Sequence, residues 1–87
     1  MPPFDTQQML AETIREIREQ REMTQQQLAK KCRIHRVSMQ RIEAGSENPS
    51  TKTLVAIAAA LDILPSELFR RFNRRIMKAI AAEQDES

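Results

Sequence analysis

The fold is decided by residues 23–45, which read MTQQQLAKKCRIHRVSMQRIEAG. Thr24 lies three residues before Gln27, the spacing of a capping box, and this pair predicts the start of a helix. Apolar residues then recur at helical spacing, at Leu28, Ala29 and Cys32 and again at Met39 and Ile42. Gly45 can adopt the left-handed conformation that often ends a helix. The stretch therefore predicts two short amphipathic helices joined by a tight turn.

Two helices around such a turn form a helix-turn-helix, in which the second helix lies in the major groove of DNA. We place this motif at residues 24–44. Its second helix carries long polar side chains on the face that points away from the apolar stripe. The pattern therefore predicts a surface that meets another molecule.

The residues of this region resemble the Cro and lambda-repressor-like (XRE-type) helix-turn-helix family. The similarity extends from about Ile14 to Leu68, and the residues that carry it are Leu28, Ala29, Ile34, Ile42, Glu43, Gly45, Asn48 and Pro49. Two positions differ from the family. Arg33 stands where the family usually has Gly in the turn, and His35 stands where Ser or Thr usually caps the second helix. The resemblance implies an all-α, five-helix lambda-repressor-like DNA-binding domain with an extended C-terminal helix.

Length and composition favour one small domain at residues 1–87. Hydrophobic residues make up 40% of the chain, which is enough for a core and too many for a disordered protein. One Gly and no Trp or Tyr argue against a β-sandwich with many turns. We expect a core at 10–69, followed at 70–87 by a helical extension and an acidic tail.

Charge is distributed unevenly although the net charge is only +2. The motif holds a basic cluster, and the chain ends in acids; the basic residues are Lys30, Lys31, Arg33, Arg36 and Arg41, and the acids are Glu83, Asp85 and Glu86. A single Cys allows no internal disulfide and suits a reducing compartment. No apolar run approaches the length of a membrane span, and no signal peptide is visible. We therefore expect a cytoplasmic protein with no membrane association.

Three further helices flank the motif. Asp5 is placed to cap a first helix whose buried stripe holds Leu10, Ile14 and Ile17, and Ser50 is placed to cap a fourth helix. Pro65 suits the first turn of a fifth helix, which we expect over residues 66 to about 80.

The fifth helix is longer than a small core needs. Phe69, Phe72, Ile76 and Ile80 stand three or four residues apart and share one face. We expect the distal part to project and to form a homodimer interface through this face. The alternative is that it folds back on its own domain. The cations beside the stripe could pair with acids of a partner subunit or lie near DNA phosphate; they are Arg70, Arg71, Arg74, Arg75 and Lys78.

The resemblance implies that Arg36, Val37, Gln40 and Arg41 contact base edges. The chemistry of these side chains agrees with that role. Arg36 could bind guanine through two hydrogen bonds, Gln40 could pair with adenine, and Val37 could touch a thymine methyl group. Arg41 could reach a base or a phosphate. The alternative is that they form the solvated face of an ordinary helix.

Phosphate contacts are expected at two helix starts. The resemblance implies that Gln25 contacts phosphate from the first turn of the second helix, where free backbone N–H groups attract anions. Lys52 opens the fourth helix beside a loop that holds Ser46 and Asn48, and we expect these three residues to form a second phosphate contact. The alternative is that these polar residues only cap helices.

Arg18 and Glu43 both lie on inward faces, because each follows an apolar residue by four positions. Opposite charges on two inward faces predict a partly buried ion pair, and the family has the same pair at the matching positions. We expect it to lock the first helix to the recognition helix.

No cofactor, metal or catalytic site is expected. Cys32 and His35 have the spacing of half a zinc site, but no second pair exists in the sequence. They also lack an orienting group and an oxyanion site, so an enzyme is not expected.

The sequence thus favours a homodimeric transcriptional repressor that reads the major groove of a double-stranded DNA operator. The alternative is an antitoxin or adaptor module whose C-terminal helix binds a partner protein.

Overall fold

The structure is a computed structural model that describes residues 5–85. Within this range it consists of five α-helices without strands, so the expected all-α architecture is confirmed. The helices are α1 Thr6–Gln20, α2 Gln25–Cys32, α3 Arg36–Ala44, α4 Thr51–Ala60 and α5 Pro65–Asp85. No helix in this part of the chain is long and apolar enough to cross a membrane. Glu86 of the expected acidic tail lies outside the described residues.

Side-chain caps begin three of the helices. Asp5, Thr24 and Ser50 each accept a hydrogen bond from the backbone N–H three residues later. At α2 the capping box is complete, because the Thr24 N–H also donates to Oε1 of Gln27 at 2.8 Å. His35 precedes α3 and makes no side-chain cap, so the departure from the usual Ser or Thr removes one hydrogen bond there.

The hydrophobic core draws on all five helices. Its buried members are Leu10, Ile14, Ile17, Leu28, Ala29, Cys32, Met39, Ile42, Ile57, Ala58, Leu61 and Leu68. Because α1 packs against both α3 and α5, this helix connects the motif to the C-terminal helix. The apolar stripes that the sequence predicts for α1, α2 and α3 are all buried.

Four successive helices end in the same way, with a left-handed residue just beyond the last turn. These residues are Glu22, Arg33, Gly45 and Asp62, with φ of 55°, 59°, 77° and 59°. In each case the next residue donates its N–H to a carbonyl five positions back, as the Schellman motif requires. Three of those next residues, Met23, Ile34 and Ile63, pack against the core.

Glycine occupies this position at only one helix end, where a neighbouring helix comes close. A Cβ on residue 45 would lie 2.2 Å from Oε1 and 3.1 Å from Cα of Gln8 in α1. The Gln7 amide also donates to the Gly45 carbonyl at 2.7 Å. The start of α1 therefore packs directly on the end of α3, and a Cβ at residue 45 would require Gln8 to shift in addition to the strain of a positive φ.

The C-terminal helix runs antiparallel to α1, because Arg71 bonds to Gln20 whereas Arg75 pairs with Glu12 and Glu16. Hydrogen bonds from Arg71 and then Arg70 hold the pKa of the half-buried Glu67 below its usual value. Arg70, Arg71 and Arg75 thus each have a carboxylate partner in the same chain, and the expected contacts of these cations with a partner subunit or with DNA phosphate stay a prediction.

Two expectations about α5 need correction. The helix ends at Asp85 rather than near residue 80. Its middle part does not project from the domain, because the Arg75 ion pairs hold it along α1 and leave Ile76 and Ile80 half-buried. Near its end, all four residues 81–84 are exposed. The fold-back alternative thus describes most of this helix.

The left-handed turn at Arg33 gives a direct test of backbone strain. Arg33→Gly should leave the free energy of unfolding unchanged or raise it by about 1 kcal/mol at most, because Gly adopts positive φ without a Cβ clash. The midpoint of chemical denaturation measures this change.

Gly45→Ala is the matched contrast and should destabilise the fold, since both its positive φ and the nearby Gln8 oppose a Cβ. A clear loss of stability in Arg33→Gly would instead show that the arginine side chain makes a contact that the fold needs.

Candidate nucleic-acid interface

The outer face of α3 carries all four residues expected to contact bases. Met39, Ile42 and Glu43 point into the domain, whereas Arg36, Val37, Gln40 and Arg41 are exposed. At about 100° per residue, these four side chains and Ala44 fall within an arc of about 140° on the helix. The sequence analysis did not include Ala44, which shares this exposed face.

The side chains on this face are chemically varied and available for contact. Val37 is 52% exposed and presents its methyl groups to solvent on this face. Within residues 5–85, Arg36 and Arg41 form no ion pair, so their guanidinium groups can meet an external acceptor. A face with two arginines, an amide and a methyl-bearing side chain can donate to guanine, pair with adenine and touch a thymine methyl group.

The inner face of α3 is fixed by a buried carboxylate. The Glu43 side chain is 1% exposed and meets Arg18, which is 12% exposed. Nε of Arg18 donates to Oε2 at 2.7 Å and Nη2 donates to Oε1 at 2.9 Å, a two-pronged pairing. A third bond runs from Nη1 of Arg18 to the Met23 carbonyl at 2.6 Å. Arg18 thereby joins α1 to α3 and to the residue before the α2 cap.

Gln25 belongs to the same network. Its side-chain amide donates to Oε1 of Glu43 at 3.1 Å, so the carboxylate has a donor from α2 as well as from α1. Gln25 is the first residue of α2, and the first N–H groups of a helix have no partner within the helix. A phosphate contact at this position has the backbone N–H and the second side-chain N–H available, while the bond to Glu43 orients α2 against α3.

The second expected phosphate contact is only partly preformed. Asn48 and Lys52 are exposed on either side of the Ser50 cap. Ser46 differs, because both its N–H and its hydroxyl donate to the Arg41 carbonyl, at 2.9 Å and 3.2 Å. In the unbound protein its donors therefore serve the end of α3, and a phosphate would have to compete for them.

Two side chains of α1 support this site and were not identified from the sequence. Gln7 donates to the Gly45 carbonyl, and Nη1 of Arg15 donates to the Glu43 carbonyl at 3.4 Å. Both bonds satisfy carbonyls at the end of α3, where no intrahelical partner exists. The bond of Gln7 spans 38 residues of sequence and that of Arg15 spans 28, so no local sequence pattern could have revealed either contact.

Cys32 and His35 occupy different environments. Cys32 is buried, and burial raises the pKa of its thiol above the usual value, whereas His35 is exposed. Among the described residues, no three His, Cys, Asp or Glu side chains lie together in a way that could hold a metal ion.

The residues expected at a dimer interface form a mixed surface on α5. Phe69 is 44% exposed, whereas Phe72 packs partly against the core. Ile76 and Ile80 are half-buried within a single chain. Other exposed apolar side chains of the domain include Val55 on α4 and Leu64 before α5, which are 47% and 71% exposed.

The Glu43 network can be tested by its contribution to stability. Glu43→Ala should lower the free energy of unfolding by about 3–5 kcal/mol, because it leaves the Arg18 guanidinium poorly solvated and without its carboxylate. Chemical denaturation measures the loss. Replacing both partners with apolar residues, Arg18→Met with Glu43→Leu, should recover part of it.

Glu43→Gln is the control of matched shape. Its free energy of unfolding should fall less than that of Glu43→Ala, because its amide oxygen still accepts a hydrogen bond. A denaturation midpoint that does not move in Glu43→Ala would show that the pair contributes nothing to the fold.

Known proteins share the sequence pattern and the fold of this chain. The helix-turn-helix family pattern matches residues 14–68, the range over which the sequence shows its resemblance. The immunity repressor protein of Bacillus phage phi105 is 41% identical over 59 residues, which are 68% of this chain and 41% of the repressor. The chain thus spans less than half the length of the curated relatives it matches.

Solved structures show the same fold. The clp gene regulator ClgR from Corynebacterium glutamicum aligns with a TM-score of 0.84 over 97% of this chain and 88% of its own, at 21% identity. The wild-type restriction-modification controller protein C.Esp1396I aligns with a TM-score of 0.78 at 28% identity, over 83% of this chain and 95% of its own. From its sequence match and its site geometry, the chain belongs to the Cro/lambda-repressor-like helix-turn-helix family of DNA-binding regulators.

Proposed function

We propose that this protein is a cytoplasmic, sequence-specific regulator of transcription that binds double-stranded DNA and represses as a homodimer. The observation that carries the proposal is the outer face of α3, where unpaired arginines, Gln40 and a solvent-exposed Val37 lie together on a helix anchored from behind by Glu43. The proposal involves no catalytic step.

In this proposal the base-contacting residues are Arg36, Val37, Gln40 and Arg41. Arg36 donates to a guanine, Gln40 pairs with an adenine, and Val37 contacts a thymine methyl group. Arg41 binds a base edge or the adjoining phosphate. Preorganisation supports these roles, because the Arg18 and Gln25 bonds to Glu43 hold α3 in one orientation before DNA arrives.

Phosphate contacts position the helix in this proposal. The free N–H groups at the start of α2 bind one phosphate, and Lys52 at the start of α4 binds another with help from Asn48 and Ser46. Such contacts strengthen binding to every DNA sequence about equally, whereas the α3 residues supply discrimination.

A homodimer would place two α3 helices in successive major grooves, about one helical turn apart. The partly exposed stripe of Phe69, Phe72, Ile76 and Ile80 supports α5 as the interface, because apolar surface left open by one subunit can be buried by a second. Bound at a promoter, such a dimer would repress by occlusion.

Loss of a base contact should reduce discrimination rather than general affinity. Arg36→Ala and Gln40→Ala should each weaken binding to a selected operator by roughly 1–3 kcal/mol while changing binding to random duplex much less. Selection of bound fragments from random DNA supplies the operator, and fluorescence anisotropy at fixed salt measures both affinities.

Lys52→Ala is the control, since loss of a phosphate contact should weaken the operator and random DNA about equally and should lower the salt dependence. Equal losses on the two duplexes for Arg36→Ala would contradict its role in reading bases.

Dimerisation through α5 can be separated from folding. Ile76→Asp with Ile80→Asp should give a folded monomer that binds its operator far more weakly, because the second half-site no longer gains from the effective concentration set by the first. Sedimentation measures the oligomeric state, and circular dichroism confirms that the variant is folded.

Ala81→Asp with Ala82→Asp is the matched control, because both residues are exposed on the same helix and lie about 100–160° around it from Ile76 and Ile80. This variant should remain dimeric. If the unaltered protein is a monomer at about tens of micromolar, where a dimer of about 1 μM affinity would persist, the homodimer is excluded and an adaptor role for α5 gains support.

A further inference from the structure

A cleft lies between α1 and α5, on a part of the domain with no role in the proposed DNA interface. Its volume is about 230 Å³. The buried Ile17 forms part of its lining, and four cations line it together with a single carboxylate, Glu16. The cations are Arg71, Arg74, Arg75 and Lys78. Arg71 and Arg75 also hold α5 against α1, but packing does not account for Arg74 and Lys78, which line the same cleft.

Two of these cations are half-buried and held in place. The Arg71 and Arg75 side chains are 32% and 31% exposed. Arg71 donates through Nε to Glu67 and through Nη1 to Gln20. Arg75 donates through Nη1 to Glu12 and pairs through Nη2 with Glu16. A guanidinium has five N–H donors, so each arginine keeps donors for a further acceptor while its orientation is already fixed.

The other two cations have no partner within the described residues. Arg74 and Lys78 are exposed, stand one helical turn apart and form no ion pair or side-chain hydrogen bond in residues 5–85. Both nevertheless line the cleft beside the two fixed arginines. The positive charge that they bring is therefore not neutralised by any side chain that the structure describes.

We propose that this cleft binds a small phosphate-bearing anion. Guanidinium groups match the oxygens of a phosphate through paired hydrogen bonds, and the lysine adds a compact charge that can follow the ligand. The cleft is too small for a folded partner but large enough for a phosphate group with a short body. The ligand would lie between Arg71 and Arg75, with Arg74 and Lys78 closing over its exposed side.

The cleft stays open when the proposed function is in operation. At about 100° per residue, Arg74 and Lys78 each lie about 160° around α5 from Ile76, so a dimer through the apolar stripe leaves them uncovered. On α1, Glu16 and Thr13 line the cleft, whereas Arg18 meets Glu43 about 140–160° away. The ligand therefore contacts neither the α3 surface nor the stripe directly.

Occupancy of the cleft would nevertheless affect both surfaces, a consequence that rests on the proposed function. A bound anion bridges α1 to α5, and α1 carries Arg18 while α5 carries the stripe. It would therefore restrain the two elements whose relative position sets the spacing of the recognition helices in a dimer.

The test measures anion binding by the whole protein without DNA. Inorganic pyrophosphate is titrated by calorimetry and by amide NMR at constant ionic strength, with citrate as a polyanion that lacks phosphate. We expect saturable pyrophosphate binding, with shifts confined to residues of the cleft, and binding of citrate at least tenfold weaker.

Arg74→Gln with Lys78→Gln should weaken pyrophosphate binding by roughly tenfold or more, because both unpaired cations are removed. The matched control, Arg21→Gln with Lys30→Gln, removes the same charge from exposed positions outside the cleft and should bind as the unaltered protein does.

Absence of pyrophosphate binding, equal binding of citrate, or equal losses in the two double variants would each overturn the proposal. Measuring operator binding with the same protein preparations tests the proposed DNA-binding function separately from the anion site. An operator complex that forms normally without any pyrophosphate site would refute this inference and leave the proposed function intact.

Discussion

The carboxylate of Glu43 is the constraint on which the rest of the structure depends. A charge with 1% exposure in so small a core is tolerated only where donors surround it, and here Arg18 and Gln25 supply them from two other helices. No buried side-chain polar atom in the described range lacks a hydrogen-bond partner. Three helices are therefore oriented by one side chain.

Orientation, more than stability, is what this network provides. Buried ion pairs often stabilise a fold no better than well-packed apolar groups of the same size, since desolvation offsets the attraction. Apolar contacts allow small rotations, whereas the two-pronged bond between Arg18 and Glu43 has a fixed direction. A helix whose outer side chains must meet base edges within hydrogen-bond distance benefits from that restriction.

Local features of the fold could be predicted from the sequence because their causes are local. The Thr24 capping box and the buried stripe from Leu28 to Cys32 depend on residues a few positions apart. The inward direction of Glu43 follows from its spacing to Met39. The packing of α5 against α1 could not be predicted, since an amphipathic pattern does not show whether the apolar face packs on the same domain or on a second subunit.

The side-chain contacts at the site that could not be predicted from the sequence join residues that are far apart in the chain. The amide of Gln25 reaches Glu43, and Gln7 reaches the Gly45 carbonyl, only after α1, α2 and α3 have packed. The Arg75 pairs with Glu12 and Glu16 likewise require the completed fold. Base and phosphate contacts depend in addition on DNA, so their assignment to Arg36 or Lys52 stays a prediction.

The left-handed helix ends have a consequence for how this domain can evolve. Glu22, Arg33 and Asp62 occupy conformations that glycine adopts more easily. Substitution of glycine at one of these positions is therefore a route by which the free energy of unfolding could rise. New operator preferences require changes on α3, and most changes in a small domain cost stability. A lineage that first placed glycine at one of these ends could accept a recognition-helix substitution that costs as much stability as the glycine adds. The stability gained at the turns between helices would then limit how many changes on α3, and so how large a change in operator preference, the fold can accept.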